Sequence, residues 1–127
     1  MLDRSGMMQM ARSAMAHAAG RQLEIARNVA NADTPGYRSR DVVPFDPDTG
    51  AGQLALRQTR PQHLGEIGQA HLPRTRDAGG EPSPNGNSVS LEDEMVRAAE
   101  ARREHELAVT VYQSGLRLMR SAINKRG

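Results

Sequence analysis

The side chains able to carry chemistry in this chain are four histidines and 15 acidic residues, with no cysteine among its 127 residues. Without thiols there are no disulfides, no thiolate metal sites and no cysteine nucleophile. His63 and His71 stand eight positions apart across Gly65 and Gly68. No third ligand follows at useful spacing, so no metal is expected there. Asp46-Pro47-Asp48-Thr49-Gly50 begins like a calcium loop. Its glycine comes at the fifth position rather than the sixth, and Arg57 stands where a bidentate Glu is needed, so a solvated turn is expected. His17 and His105 fall inside helical patterns and should pack or face solvent. No Ser-His-Asp arrangement, phosphate-cradling glycine loop or supported carboxylate pair is present. The expectation is a protein that is not an enzyme, with no catalytic residue, no metal and no cofactor.

What remains is the chemistry of hydrogen bonding, and it is concentrated between Ile25 and Tyr37. Ile25, Val29 and Ala32 keep a four-three spacing and share one helical face. Asn28 and Asn31 sit beside that face with short amide side chains suited to bonding neighbouring backbone. Pro35 then removes an amide donor and pushes Thr34 out of the helical region, while Gly36 can adopt a positive φ. Thr34-Pro35-Gly36-Tyr37 predicts a type II turn with Pro second and Gly third. A helix is being stopped at a set place.

The run Asn28-Val29-Ala30-Asn31-Ala32-Asp33-Thr34-Pro35-Gly36-Tyr37 resembles the signature near the N-terminus of flagellar axial proteins, the rod, hook and hook-filament junction subunits. Continued by Arg38-Ser39-Arg40-Asp41-Val42 in so short a chain, it is most similar to the basal-body proteins of the proximal rod. The resemblance implies a structural subunit that leaves the cell through the flagellar type III export apparatus without a cleaved signal peptide. It implies a place in the periplasmic rod of the basal body, near the export gate and the membrane ring. The partners would be other rod subunits and further copies of the chain, and the task torque transmission. It also implies that the N-terminal and C-terminal helices pair; an aromatic ring would be expected where His105 stands.

The elements that must position this stretch are long helices. Only 37% of residues are hydrophobic, with one Phe, two Tyr, no Trp and seven Met. Large aromatic side chains dominate thick cores, so thin helix-on-helix seams are expected instead. No run is long and apolar enough for a membrane span, and no apolar h-region marks a secretory signal. Net charge is +2 and spread evenly: four Arg against two acids in residues 1–31, six against seven in 32–88, seven basic against six acidic in 89–127. No basic face is concentrated enough for nucleic acid.

Three regions follow: an N-terminal coiled-coil helix over 1–32, an irregular segment over 33–88 and a C-terminal coiled-coil helix over 89–127. In the first, Met8, Ala11, Met15, Ala18, Gln22, Ile25 and Val29 form a heptad seam. All seven prolines lie in the second, which excludes sustained helix. Short strands fit Tyr37–Phe45 and Gln53–Thr59, and residues 74–88 read as a linker, mobile unless a partner holds it. In the third, Ser90 caps a helix from about Leu91 to Asn124, with Glu92, Asp93 and Glu94 in its first turn. Its seam is Leu91, Met95, Ala98, Arg102, His105, Val109, Tyr112, Leu116, Met119 and Ile123, in four-three steps interrupted by Arg102 and His105.

The expected fold is mainly α: two long terminal helices forming an α-hairpin or coiled coil, joined by a Pro/Gly-rich, largely irregular segment. A hairpin this lean in bulky side chains is marginal alone. Both seams are therefore expected to serve as assembly interfaces, with the monomer loosely helical before assembly. A cytosolic helical-hairpin chaperone or adaptor of a secretion system is the alternative; it accounts for the seams but does not require the Asn28-to-Tyr37 stop.

Overall fold

The computed structural model of the protein describes residues 4–46 and 74–125. The chain order is helix α1 (Arg4–Ala30), strand β1 (Arg40–Val42), strand β2 (Thr75–Asp77) and helix α2 (Leu91–Asn124). The architecture is the mainly helical hairpin expected from the sequence. The strand expected at Gln53–Thr59, the Asp46–Gly50 turn beyond Asp46, and His63 and His71 lie outside the described residues.

Helix α2 starts where its cap chemistry demands. The Ser90 hydroxyl accepts from the Asp93 amide at 3.4 Å, and three acids occupy the first turn. Helix α1 tightens as it ends: the Asn31 amide is shared between the Arg27 and Asn28 carbonyls at 3.1 Å each, and Ala32 bonds back to Val29 at 3.2 Å. Such three-residue bonds satisfy the last carbonyls of a helix. The turn then closes with the Tyr37 amide on the Thr34 carbonyl at 3.3 Å, and Gly36 holds φ +75°. A side chain in that conformation costs about 1–2 kcal/mol. Gly36→Ala is therefore expected to lower stability by about that amount in urea denaturation.

The two helices meet through buried residues seven apart, mostly small: Ala11, Ala18 and Ile25 on α1, and Glu94, Ala101, Ala108 and Gly115 on α2. Ala18 and Ala101 are completely buried. Alanine seams let helices approach closely but remove little apolar area from water, at about 25 cal/mol per Å². Ala11, Ala18 and Ile25 belong to the expected α1 seam, and only the other row of the contact differs, by one position. Its second row is Ala14, Arg21 and Asn28, while Gln22 and Val29 are exposed.

Residues 74–88 correct the expectation of a mobile linker. β2 pairs antiparallel with β1, Arg40 opposite Asp77 and Val42 opposite Thr75. The ladder is extended by Val43 to Arg74 at 2.8 Å and Ala78 to Ser39 at 2.9 Å. Asn87 and Ser88 are buried. This segment is ordered by hydrogen bonds, which a search for apolar residues to bury does not find. Within it, Asp77 accepts from the Gly79 amide at 2.8 Å and from Arg38 Nε at 3.1 Å. The Gly79 amide first, and the Arg38 guanidinium second, hold its carboxyl below the usual range. A depressed folded pKa means a contribution present above the unfolded carboxylate pKa and lost as pH falls through the folded one. Carboxyl NMR titration is expected to find Asp77 low, and Arg38→Ala to move it back toward the ordinary value.

Candidate functional site

The junction where the end of α1, the start of α2 and β1 meet is built around Asn28, whose side chain is completely buried. Its amide nitrogen donates to the Arg40 carbonyl at 2.7 Å and to Glu94 Oε1 at 3.1 Å. Its amide oxygen accepts from the Arg40 amide at 3.1 Å and from the Tyr37 hydroxyl at 3.2 Å. All four hydrogen-bonding positions of the amide are thus used. Toward Arg40 it mimics a neighbouring strand, pairing with both backbone groups of one residue. A helix side chain thus satisfies the backbone of Arg40 in β1 of the two-stranded ladder.

Glu94 is the second buried pole, 1% exposed at the start of α2. Its Oε1 accepts from Arg97 Nη1 at 2.7 Å and Ser39 Oγ at 2.8 Å, besides Asn28. The Ser39 amide in turn donates to Ser88 Oγ at 2.8 Å. Arg97 Nε also lies 4.0 Å from Asp41 Oδ2, and Arg21 Nε donates to Asp41 Oδ1 at 3.2 Å. Arg21 reaches across the hairpin to Glu100 at 2.8 Å and Glu104 at 3.0 Å. Burial alone lowers the pKa of Arg21; the bonds to Asp41 and Glu100 and the charge of Glu104 outweigh it and raise the pKa. His17 extends the same side, with Nε2 donating to the Val43 carbonyl at 2.7 Å and its ring edge-on to Phe45.

The rest of the motif closes the junction from below. Asn31 Nδ2 donates to the Arg27 carbonyl at 2.8 Å, and its Oδ1 accepts from the Thr34 hydroxyl at 3.2 Å. Buried Asn87 donates to the carbonyls of Asn31 at 2.9 Å and Thr34 at 2.7 Å, capping the helix end from the far side of the sequence. Gly36 and Gly86 lie backbone against backbone: a Cβ on Gly86, which holds φ +83°, would meet Gly36 Cα at 3.3 Å. Tyr37 is half-buried, and Val29, Ala30, Asp33, Thr34, Pro35 and Gly36 are exposed, with Ala32 between. The motif therefore combines an inward side, Asn28 and Tyr37, with an outward one.

The residues expected to form assembly seams divide as well. Ala11, Ala18 and Ile25 are buried within the hairpin, and Met8, Met15, Ala98, His105, Val109, Tyr112 and Leu116 are half-buried along its edges. Leu91, Met95, Met119 and Ile123 are 55%, 73%, 40% and 68% exposed. Sequence reasoning passed over Ser39, Asp41, Asn87, Ser88, Glu94 and Arg97. For Glu94 a signal existed, since it heads the seven-residue series completed by Ala101, Ala108 and Gly115. Among the described residues no cluster of His, Asp or Glu is arranged for a metal ion, and no helix is long and apolar enough to cross a membrane.

Comparison with known proteins gives this junction a context. The chain is 33% identical over 113 residues to the flagellar basal body rod protein FlgB of Agrobacterium fabrum, covering 83% of each chain. The chain belongs to the FlgB family of flagellar basal body rod proteins. Similarity to FlgB of Salmonella typhimurium extends over 97% of both chains at 28% identity, and to FlgB of Escherichia coli over 83% of both at 28%. A family profile described as "Flagella basal body rod protein" matches residues 8–38. In this FlgB family member the matched stretch contains the whole buried face of α1 and the motif through Tyr37, so it ends where the chain crosses to β1.

Proposed function

We propose that the chain is a structural subunit of the bacterial flagellar basal-body rod. The observation that carries this reading is the similarity to FlgB proteins over most or all of the chain, which are named as flagellar basal body rod proteins. The distribution of apolar surface supports it. The buried hydrophobic residues are chiefly alanines, whereas Leu23, Leu91, Met95, Val96, Leu107, Leu118 and Ile123 are each at least 46% exposed. Surface of this kind is stable when other helices cover it, and subunits packed side by side on long helices make a stiff tube suited to transmitting torque.

In this reading the partners are other rod subunits and further copies of the chain, at the proximal end of the rod beside the export gate and the membrane ring. The chain reaches that place through the flagellar type III export apparatus, without a cleaved signal peptide. Before assembly it is held at the Asn28 junction and loose toward the first turns of α1 and the last turns of α2. Deletion of the gene, followed by electron microscopy of isolated basal bodies, tests the assignment. The expected particle keeps its membrane ring and lacks the rod; an intact rod in the deletion strain rejects the assignment.

A further inference from the structure

The chain contains five asparagines, and only Asn85 is followed by glycine. The pair lies in the loop between β2 and α2, where Asn85 is exposed while Asn87 and Ser88 beside it are buried. Asparagine before glycine carries a reaction of its own. The side-chain amide carbon lies within a small ring's reach of the next backbone nitrogen. Glycine, lacking a Cβ, leaves that nitrogen unhindered and its backbone able to turn. Asn28, Asn31, Asn87 and Asn124 precede Val29, Ala32, Ser88 and Lys125, whose side chains crowd the same approach.

The fold denies Asn85 the conformation the reaction needs. The Gly86 amide donates to the Ser83 carbonyl at 2.8 Å, and the Ser83 amide donates to the Asn87 carbonyl at 2.8 Å, so the turn is bonded from both sides. Asn85 Oδ1 accepts from the Asn87 amide at 3.1 Å, which fixes the side chain. The Asn85 carbonyl accepts from the Gly36 amide at 3.0 Å, joining this loop to the motif turn. Asn87 holds the loop there through the carbonyls of Asn31 and Thr34. The Gly86 nitrogen reaches Asn85 Cγ only when its bond to Ser83 breaks and the loop leaves the turn at Thr34–Tyr37.

We propose that Asn85 is a modification site, deamidated by attack of the Gly86 nitrogen in chains whose junction is open and protected in chains whose junction is closed. The Gly86 nitrogen loses its proton to water and bonds to Asn85 Cγ. The bond from Cγ to Nδ2 breaks and ammonia leaves, giving a cyclic imide. Water then opens the imide, and nothing is oxidised or reduced. Breaking the new Cγ–N bond gives aspartate; breaking the backbone C–N bond gives isoaspartate, with the chain running through Cγ. Either product adds a negative charge. Isoaspartate also lengthens the backbone by a carbon at the residue whose carbonyl accepts from Gly36, so the loop no longer fits the end of α1. Residue 85 therefore records the time a chain has spent open. This modification requires no partner and is independent of the rod reading.

Peptide mapping by mass spectrometry, after timed incubation of the full-length chain at one pH, tests the site. In guanidinium chloride, isoaspartate is expected at residue 85 ahead of the other four asparagines, and Asn85→Gln, whose longer side chain closes the ring poorly, should lack it. In buffer the wild type should react at least about tenfold more slowly, because a reaction that requires opening is scaled by the open fraction. Asn28→Ala in buffer should approach the rate in guanidinium chloride. No product at residue 85 in guanidinium chloride, equal rates with and without denaturant, or an Asn28→Ala chain as slow as wild type overturns the proposal. Converted chains returned to buffer should exchange the Gly36 amide rapidly; a Gly36 amide as protected as in the unmodified chain overturns the uncoupling.

Discussion

Asn28→Ala is expected to open the junction and remove most of the molecule's cooperative stability, at a cost of about 4 kcal/mol. The change leaves the Arg40 amide and carbonyl without their partners and takes one of three hydrogen bonds from the buried Glu94 carboxylate. Each buried polar group left unsatisfied costs about 1–3 kcal/mol. The alanine seam between α1 and α2 has little apolar area with which to offset that loss. Asn28→Asp should do no better, because it replaces the donor facing the Arg40 carbonyl and Glu94 with an acceptor and sets two carboxylates together. Urea denaturation monitored by helicity measures both, and a midpoint within experimental scatter of wild type contradicts the role assigned to Asn28.

Glu94→Leu should be comparably severe, at about 3–5 kcal/mol, the usual cost of removing one partner from a buried ion pair. Arg97, Ser39 and Asn28 all donate to the same oxygen, Oε1, and leucine offers none of them an acceptor. Glu94→Gln separates charge from geometry. Its amide oxygen can accept the same three bonds, but the amide nitrogen would take the place of Oε2, which is buried and makes no hydrogen bond among the described residues. The glutamine variant is therefore expected to lie between wild type and leucine. If glutamine proves as damaging as leucine, charge rather than acceptor geometry governs the site.

The two helices, their lengths to within a few residues and the turn at Thr34–Tyr37 were legible because their signals are local. Ser90 with Asp93 marks a start, Pro35 with Gly36 marks a stop, and four-three spacing marks a helix. The inner face of α1 was less legible. Alanines at positions 11, 14, 16, 18, 19, 26 and 30 leave hydropathy nearly uniform around the helix, so the true contact row, through Arg21 and Asn28, differs by one position from the row through Gln22 and Val29. Glu94 escaped for a related reason. A carboxylate in a first turn is ordinarily read as solvated and dipole-stabilising, and burial becomes affordable only once Arg97, Ser39 and Asn28 converge from separate segments. Asn87 and Ser88 likewise order residues 74–88 through distant backbone groups: Asn87 donates to the Thr34 carbonyl 53 positions away, and Ser88 Oγ accepts from the Ser39 amide 49 positions away, which no local pattern announces.

Amide hydrogen exchange on the dilute full-length chain tests the central claim, that one end of the hairpin is locked by its own residues while the other awaits a neighbour. The amides of Arg40, Ser39, Ala78 and Ser88, bonded to Asn28, Ser88, Ser39 and Tyr37 respectively, should exchange slowly. Those in the last turns of α2, from Met119 to Asn124, should exchange at close to unprotected rates until the chain is assembled. Uniform protection to the tip of α2 in the monomer, or an Arg40 amide exchanging as fast as in a free peptide, contradicts the claim.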